Sequence, residues 1–210
     1  LPQVPPGREF LYSNAGYAIL GAAAERAAGR PWEDLMRTML FRPLGMTSAG
    51  FGAMGSPGKV DQPWQHRLEG GKAVPVEPGP LSDNPAVIGP GGTVHASMAD
   101  WARFVLVHLK GARGESTVLP VKDWSPLHEP AFGGDYAGGW SATDRPWGGG
   151  RVLTHAGSNT MNYAVVWMAP KRDFAVLAAT NVGGDAAAKA CDETAAAVIG
   201  KFLTRQETPK

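Results

Sequence analysis

Apolar positions recur with a helical period in the first half of this chain and run together in its last third. After the turn Pro5-Pro6-Gly7 comes a short extended segment, Phe10-Leu11-Tyr12. Asn14 then suits an N-cap, because its side-chain oxygen can accept an orphan N–H of the first turn, and the helix it opens should run to Ala28 and stop at Gly29. Pro31 suits the first position of a second helix, in which Trp32, Leu35, Met36, Met39 and Leu40 form one apolar stripe. Arg42-Pro43 ends that stripe, and residues 43–46 form an exit turn. Periodicity vanishes over 51–90, which predicts a long surface excursion with short extended pieces, a candidate lid. Ser97 and Asp100 read as a capping box for a helix with Trp101, Phe104, Val105 and His108 on one face, closed by Gly111. A shorter helix is predicted within 121–128. Residues 152–155, 163–168 and 174–180 read as three strands, with 170–173 as the turn between the last two. Asp185 caps a final helix whose Ala188, Cys191, Ala195, Val198, Ile199 and Phe202 point inward. Helices, then strands, then one helix argue for an α+β fold.

Composition narrows the function classes. At 210 residues with 43% apolar and 19% charged side chains, the chain suits one folded domain or most of one. A net charge of +1, with no basic run, excludes nucleic acid and anionic membrane as natural partners. No apolar stretch approaches the roughly 18–20 residues of a membrane span. The single cysteine, Cys191, excludes an internal disulfide and a cysteine-built metal cluster. The 28 glycines and 18 prolines predict many ordered turns, and no repeat is visible. Leu1 is neither an initiator Met nor the start of a signal-peptide pattern, so the chain is expected to be a piece of something longer.

Two short clusters carry candidate chemistry. Tyr12-Ser13-Asn14 sits where an extended segment meets a helix, a junction that presents side chains to a cleft. Tyr12 could act as a general base if cations lowered its pKa from about 10, and Asn14 offers a donor and an acceptor to a substrate amide. The plainer alternative makes Tyr12 an aromatic anchor and Asn14 a cap. The second cluster is His155-Ala156-Gly157-Ser158, at a strand end. Gly157 lets a substrate backbone come close, and the Ser158 N–H could face a developing oxyanion. The alternative is a surface histidine before a hairpin turn. Trp140 and Trp147 precede this strand and fit either a pocket wall or the core. A metal hydrolase built on His66, His95, His108, His128 and His155 finds no ligand-like spacing.

Four segments in order resemble a known family. Pro6-Gly7-Arg8-Glu9-Phe10-Leu11-Tyr12-Ser13-Asn14-Ala15-Gly16-Tyr17 is similar to the surroundings of a Tyr-x-Asn motif. Phe41-Arg42-Pro43-Leu44-Gly45-Met46-Thr47 resembles a Pro-Leu-Gly-Met turn, and Gly91-Gly92-Thr93 a Gly-Gly helix approach. His155-Ala156-Gly157 stands where a Lys-Thr-Gly or His-x-Gly motif is found. The chain thus resembles the serine β-lactamase-like superfamily of class C β-lactamases, D-alanyl-D-alanine carboxypeptidases, D-aminopeptidases and related esterases. The resemblance implies a helical lobe followed by antiparallel strands, and acyl-enzyme hydrolysis without metal or cofactor. Tyr12 would be a phenolate or proton relay, Asn14 would hold the substrate amide, and His155 would bind or polarise the substrate. Gly157 would leave room for the acyl group, and the Ser158 N–H would be half of an oxyanion hole. A periplasmic or secreted setting is mildly favoured by the same resemblance.

The family's nucleophile, the Ser of Ser-x-x-Lys, lies N-terminal to Tyr-x-Asn. The eleven residues before Tyr12 contain no serine and no lysine. The formal match Ser56-Pro57-Gly58-Lys59 has a Pro-Gly centre that opposes a helical turn, and it reads as a loop. The expectation is therefore a single incomplete domain over 1–210. It has a mainly helical lobe at 1–148 and strands with a closing helix at 149–210. An N-terminal companion segment or chain would carry Ser-x-x-Lys, and this chain alone would be inactive. The rival from another class is a binding protein or pseudo-enzyme on the same fold.

Overall fold

The computed structural model describes residues 5, 7–116 and 118–207, with side chains as far as residue 203. The first half holds α1 (Asn14–Ala28), α2 (Trp32–Leu35), β1 (Gly50–Phe51), β2 (Gln65–Glu69), β3 (Lys72–Val76), α3 (Gly89–Gly92), β4 (Val94–His95) and α4 (Met98–Ala112). There follow α5 (Ser125–His128), β5 (Ser141–Arg145), β6 (Gly150–Gly157), β7 (Tyr163–Ala169), β8 (Phe174–Thr180) and α6 (Asp185–Glu207). The α+β reading holds. β5-β6-β7-β8 form one antiparallel sheet in that order, while β1 pairs with β4 and β2 with β3.

The sheet register decides which residue meets which helix. Leu153 lies opposite Met168 and Val166 opposite Leu177, and this face packs on Val105 and Leu109 of α4 together with Trp140 and Ala142. On the other face Val165 and Ala178 meet Cys191, while Val176 meets Ala195 and Ile199, so α6 covers β7 and β8. Each fully buried Val, Leu, Ile or Met side chain among these stabilises the fold by about 1.5–3 kcal/mol. Of the strands read from sequence, β8 spans the same residues, β7 gains one and β6 doubles from four residues to eight, and a fourth, β5, joins them. Its Ser-Ala-Thr-Asp-Arg sequence turns only Ala142 into the core, so it carries no apolar run.

Several local expectations change. The N-cap of α1 is Ser13, whose hydroxyl accepts the Gly16 N–H at 3.1 Å; Asn14 is the first helical residue. Gly29 ends the helix in the left-handed region as expected, at φ 64°. Beyond α2 the chain continues as a π-helix over Met36–Phe41, with Arg42 N–H bonding to the Arg37 carbonyl five residues back. That wider turn rotates the stripe: Phe41 is buried and Met39 is 66% exposed. Ser97 caps α4 by accepting from Asp100 N–H, but the reciprocal bond is absent. The Asp100 carboxylate accepts from the Ser48 N–H and hydroxyl, and the Ser48 oxygen accepts from Ser97 N–H. Gly111 lies inside α4 rather than ending it, because the Trp124 indole packs on its missing side chain. In α6 the inward positions are Ala187, Cys191, Ala195 and Ile199. Ala188 is half-buried, Val198 is exposed, and Phe202 stacks on Phe174 at 3.9 Å.

The excursion at 51–90 is tied down. Gln65 is buried, and its Oε1 accepts from both Asn159 Nδ2 and Asn162 Nδ2, at 3.1 and 2.6 Å. Asn159 Nδ2 also donates to Asp83 at 2.9 Å, and Asn181 Nδ2 to the Trp64 carbonyl at 2.7 Å. The excursion is thereby fastened to the turn that follows β6 and to the residue that follows β8.

Candidate functional site

The end of β6 is where the sheet leaves an edge open. β5 pairs with β6 only as far as Thr154, so His155, Ala156 and Gly157 extend past it. His155 is half-buried, and its ring N–H donates to the Gly139 carbonyl. Burial lowers its pKa below the ordinary value and outweighs that hydrogen bond, so the neutral imidazole is favoured.

Tyr12 reaches the same place from the other direction. It stands ahead of α1 and sets its ring edge-on to Tyr136, at 5.5 Å between centroids. Tyr136 in turn stacks on Phe10 at 4.6 Å, bonds to the Tyr17 hydroxyl and faces the His155 ring at 6.4 Å. Burial raises the pKa of both Tyr17 and Tyr136 and Tyr12 pushes both further up, which outweighs the lowering of Tyr17 by its hydrogen bond to Tyr136, so this pair stays protonated. A cavity of about 390 Å³ joins these groups, with Tyr12, Tyr136 and His155 in its wall. Its remaining lining comes from the α6 side of the sheet, where α6 leaves β5 and β6 uncovered: Ser141, Thr154, Ala156, Tyr163, Val165, Trp167 and, from α6 itself, Asp192.

Of the five residues singled out in the sequence, Tyr12 and His155 are thus brought into one cavity. Asn14, Gly157 and Ser158 are not in its lining. Asn14 is exposed at the head of α1, with its carbonyl near Gly91. A Cβ at Gly157 would meet no atom within 4 Å, so the strand end is open. The Ser158 hydroxyl accepts from Thr160 N–H at 3.0 Å and donates to the Asn162 carbonyl at 2.6 Å. Asn159 Oδ1 accepts from the N–H groups of Met161 and Asn162, at 3.1 and 2.9 Å, so the turn after β6 is held by its own side chains.

Tyr136 was missed in the sequence. The available signal was an aromatic residue between glycine pairs, Gly133-Gly134 and Gly138-Gly139. Gly139 adopts φ 87° there, and a Cβ at this position would lie 3.6 Å from the Tyr17 hydroxyl. The other histidines are occupied elsewhere. His66 bonds to the Asn181 carbonyl, His95 to the Gly52 carbonyl, and His108 to His128 in the core. Trp140 is in the core, while Trp147 packs edge-on to Trp167. Ser56 bonds through its hydroxyl to Asp61 in a loop, and Lys59 N–H turns back to the Ser56 carbonyl.

Comparison with known proteins gives a consistent result. A family model described as Beta-lactamase matches residues 1–201. The chain is 31% identical over 156 residues to penicillin-binding protein 4 of Amycolatopsis lactamdurans, which covers 71% of this chain and 39% of that protein. It is 25% identical over 184 residues to the unguisins hydrolase ungD' of Aspergillus campestris, covering 84% of this chain and 34% of that protein. The chain therefore spans little more than a third of the length of these curated relatives. Among solved structures, the octameric penicillin-binding protein homologue from Pyrococcus abyssi shares the fold with a TM-score of 0.74 at 22% identity. That match covers 94% of this chain and 44% of the other.

Proposed function

Because this chain belongs to the β-lactamase family of hydrolases, we propose that it supplies the Tyr12–His155 side of a serine acyl-hydrolase site. The observation that carries the reading is the shared cavity. Two residues 143 positions apart in sequence line one space of about 390 Å³, beside an open strand end. In this reading a serine hydroxyl supplied by a companion segment or chain attacks the carbonyl of a β-lactam, a D-amino-acid peptide or an ester. The companion's lysine and Tyr12 take and return the proton, Asn14 holds the amide, and His155 polarises the bound substrate as a neutral imidazole. The Ser158 N–H, on a turn fixed by its own hydroxyl and by Asn159, faces the oxyanion. Water then releases the acyl group by the same proton relay.

Support for a companion comes from the length of the relatives and from the lack of any Ser-x-x-Lys helix among the described residues. The test is fluorophosphonate labelling of the purified protein, with intact mass recorded for every chain present. Label on a second chain or an upstream segment, with none on residues 1–210, is the expected result. No label anywhere, with a second chain or upstream segment present, removes the hydrolase reading and leaves a binding protein. Label on Ser56 or another serine of this chain overturns the assignment of the nucleophile.

A further inference from the structure

The turn that joins β6 to β7 is specified more firmly than a surface hairpin loop requires. Thr160 adopts φ 72° there, a left-handed conformation that a β-branched side chain disfavours. Such strain persists only where the surroundings impose it. Inside the turn, the Ser158 hydroxyl accepts from Thr160 N–H at 3.0 Å, and Asn159 Oδ1 accepts from the N–H groups of Met161 and Asn162. Gly183 backs the Thr160 carbonyl so closely that a Cβ at that position would lie 2.1 Å from its oxygen. From the 51–90 excursion, His66 N–H donates to the Met161 carbonyl at 3.2 Å.

Gln65 completes this frame. Its Oε1 accepts from Nδ2 of both Asn159 and Asn162, although the residue is only 4% exposed. Its own Nε2 is buried with no hydrogen-bond partner among the described residues. A buried amide with an unmet donor costs stability, so an anchor that only held the excursion in place would be better made of apolar contacts. An apolar side chain could not, however, orient two asparagines of one turn. Both bonds act within the five residues that follow Gly157, beginning next to Ser158, whose N–H is assigned above to the oxyanion. A donor with that task has to be held to within about 0.5 Å.

We propose that Gln65 is a positioning residue, which fixes the β6–β7 turn through Asn159 and Asn162 and thereby sets the direction of the Ser158 N–H. The excursion is then a fixed buttress of the site rather than a lid. This role rests on the acyl-hydrolase reading of the Tyr12–His155 cavity.

Two variants test it from opposite sides. Gln65→Met keeps the length of the side chain and removes the accepting oxygen, while Asn162→Ala cuts the shorter of the two bonds from the turn. In solvent-exchange NMR of this chain, both should make Thr160 N–H exchange about tenfold faster, while amides of α4 and β8 keep their rates. In the assembly that takes fluorophosphonate label, both should lower kcat for an ester by about tenfold to a hundredfold, with KM within about twofold. An anchor with no part in the reaction would lower the melting temperature and leave kcat unchanged. Unaltered exchange at Thr160 in both variants, or faster exchange with kcat intact, would overturn the role. The exchange measurement needs no nucleophile, so the two possible failures are separable. Label with unaltered exchange removes only the role of Gln65, whereas faster exchange with no label on the assembly removes the hydrolase reading and leaves Gln65 as a brace of the turn.

Discussion

His108 and His128 meet in the core, Nδ1 to Nε2 at 2.9 Å, with Phe104, Trp124 and Trp140 packed around the His108 ring. One ring must donate and the other accept, so the bond needs at least one neutral ring, and burial disfavours a charge on either. Burial lowers both pKa values, His108 from 6.5 to about 3, with the His128 charge adding to the effect on His108 and Glu129 opposing it at His128. These are bases whose folded pKa lies below the unfolded one. Their contribution is therefore present above about pH 6.5 and is lost as pH falls towards the folded values, by up to about 1.4 kcal/mol per unit for each ring. Asp61, Asp100 and Glu115 also favour the fold when ionised, but their unfolded values near 4 place that loss at lower pH. The melting temperature should accordingly fall between pH 6.5 and 5, and a flat profile there would refute the assignment. His128→Leu should cost about 1–3 kcal/mol at pH 7, by orphaning the His108 nitrogen, and should shallow the pH slope. The sequence placed His108 on the inward face of its helix but gave no sign of its partner. A pairing 20 residues away depends on where the short helix α5 docks, which no local pattern encodes.

At the scale of elements, Gly111 makes a sharper test than propensity tables allow. Glycine inside a helix is about 1 kcal/mol worse than alanine, so Gly111→Ala ought to stabilise an isolated α4. Here an added Cβ would lie 2.1 Å from Cδ2 of the Trp124 ring, and Trp124 is itself buried. The indole cannot move without opening the core around the histidine pair, so Gly111→Ala should destabilise the protein by about 1–3 kcal/mol in urea unfolding. A gain in stability would mean that the Trp124 packing is loose. Elements with strong local signals were legible from sequence: α1 with its Gly29 stop, the Ser97 cap, and the apolar strands of the sheet. The misread ones were those governed by tertiary contacts. β5 takes its place from pairing with β6, the π-turn after α2 serves to bury Phe41, and the 51–90 excursion is held by Gln65 and Asn181. In the candidate site, Tyr12 and His155 were legible as motif residues. Tyr136 was not, because its role comes from the rings it meets.

For the whole molecule, the surfaces left uncovered argue for the proposed companion on physical grounds. α1 is built largely of alanine and aliphatic residues, a composition suited to a buried helix, yet Ile19 is 70% and Leu20 61% exposed. β8 pairs with β7 on one side, and no strand among the described residues takes its other edge. An open apolar edge strand next to a half-covered sheet favours self-association. The isolated chain should therefore sediment as a concentration-dependent mixture, and Ala179→Lys, at an exposed position on that edge strand, should shift it towards monomer with little change in melting temperature. Addition of the companion should have the same effect on association while raising the melting temperature, because it binds the folded state. If residues 1–210 sediment as a monomer at all concentrations, the exposed edge and α1 face are tolerated as they stand. The case for a companion would then rest on the length of the relatives and on the lack of a Ser-x-x-Lys helix among the described residues.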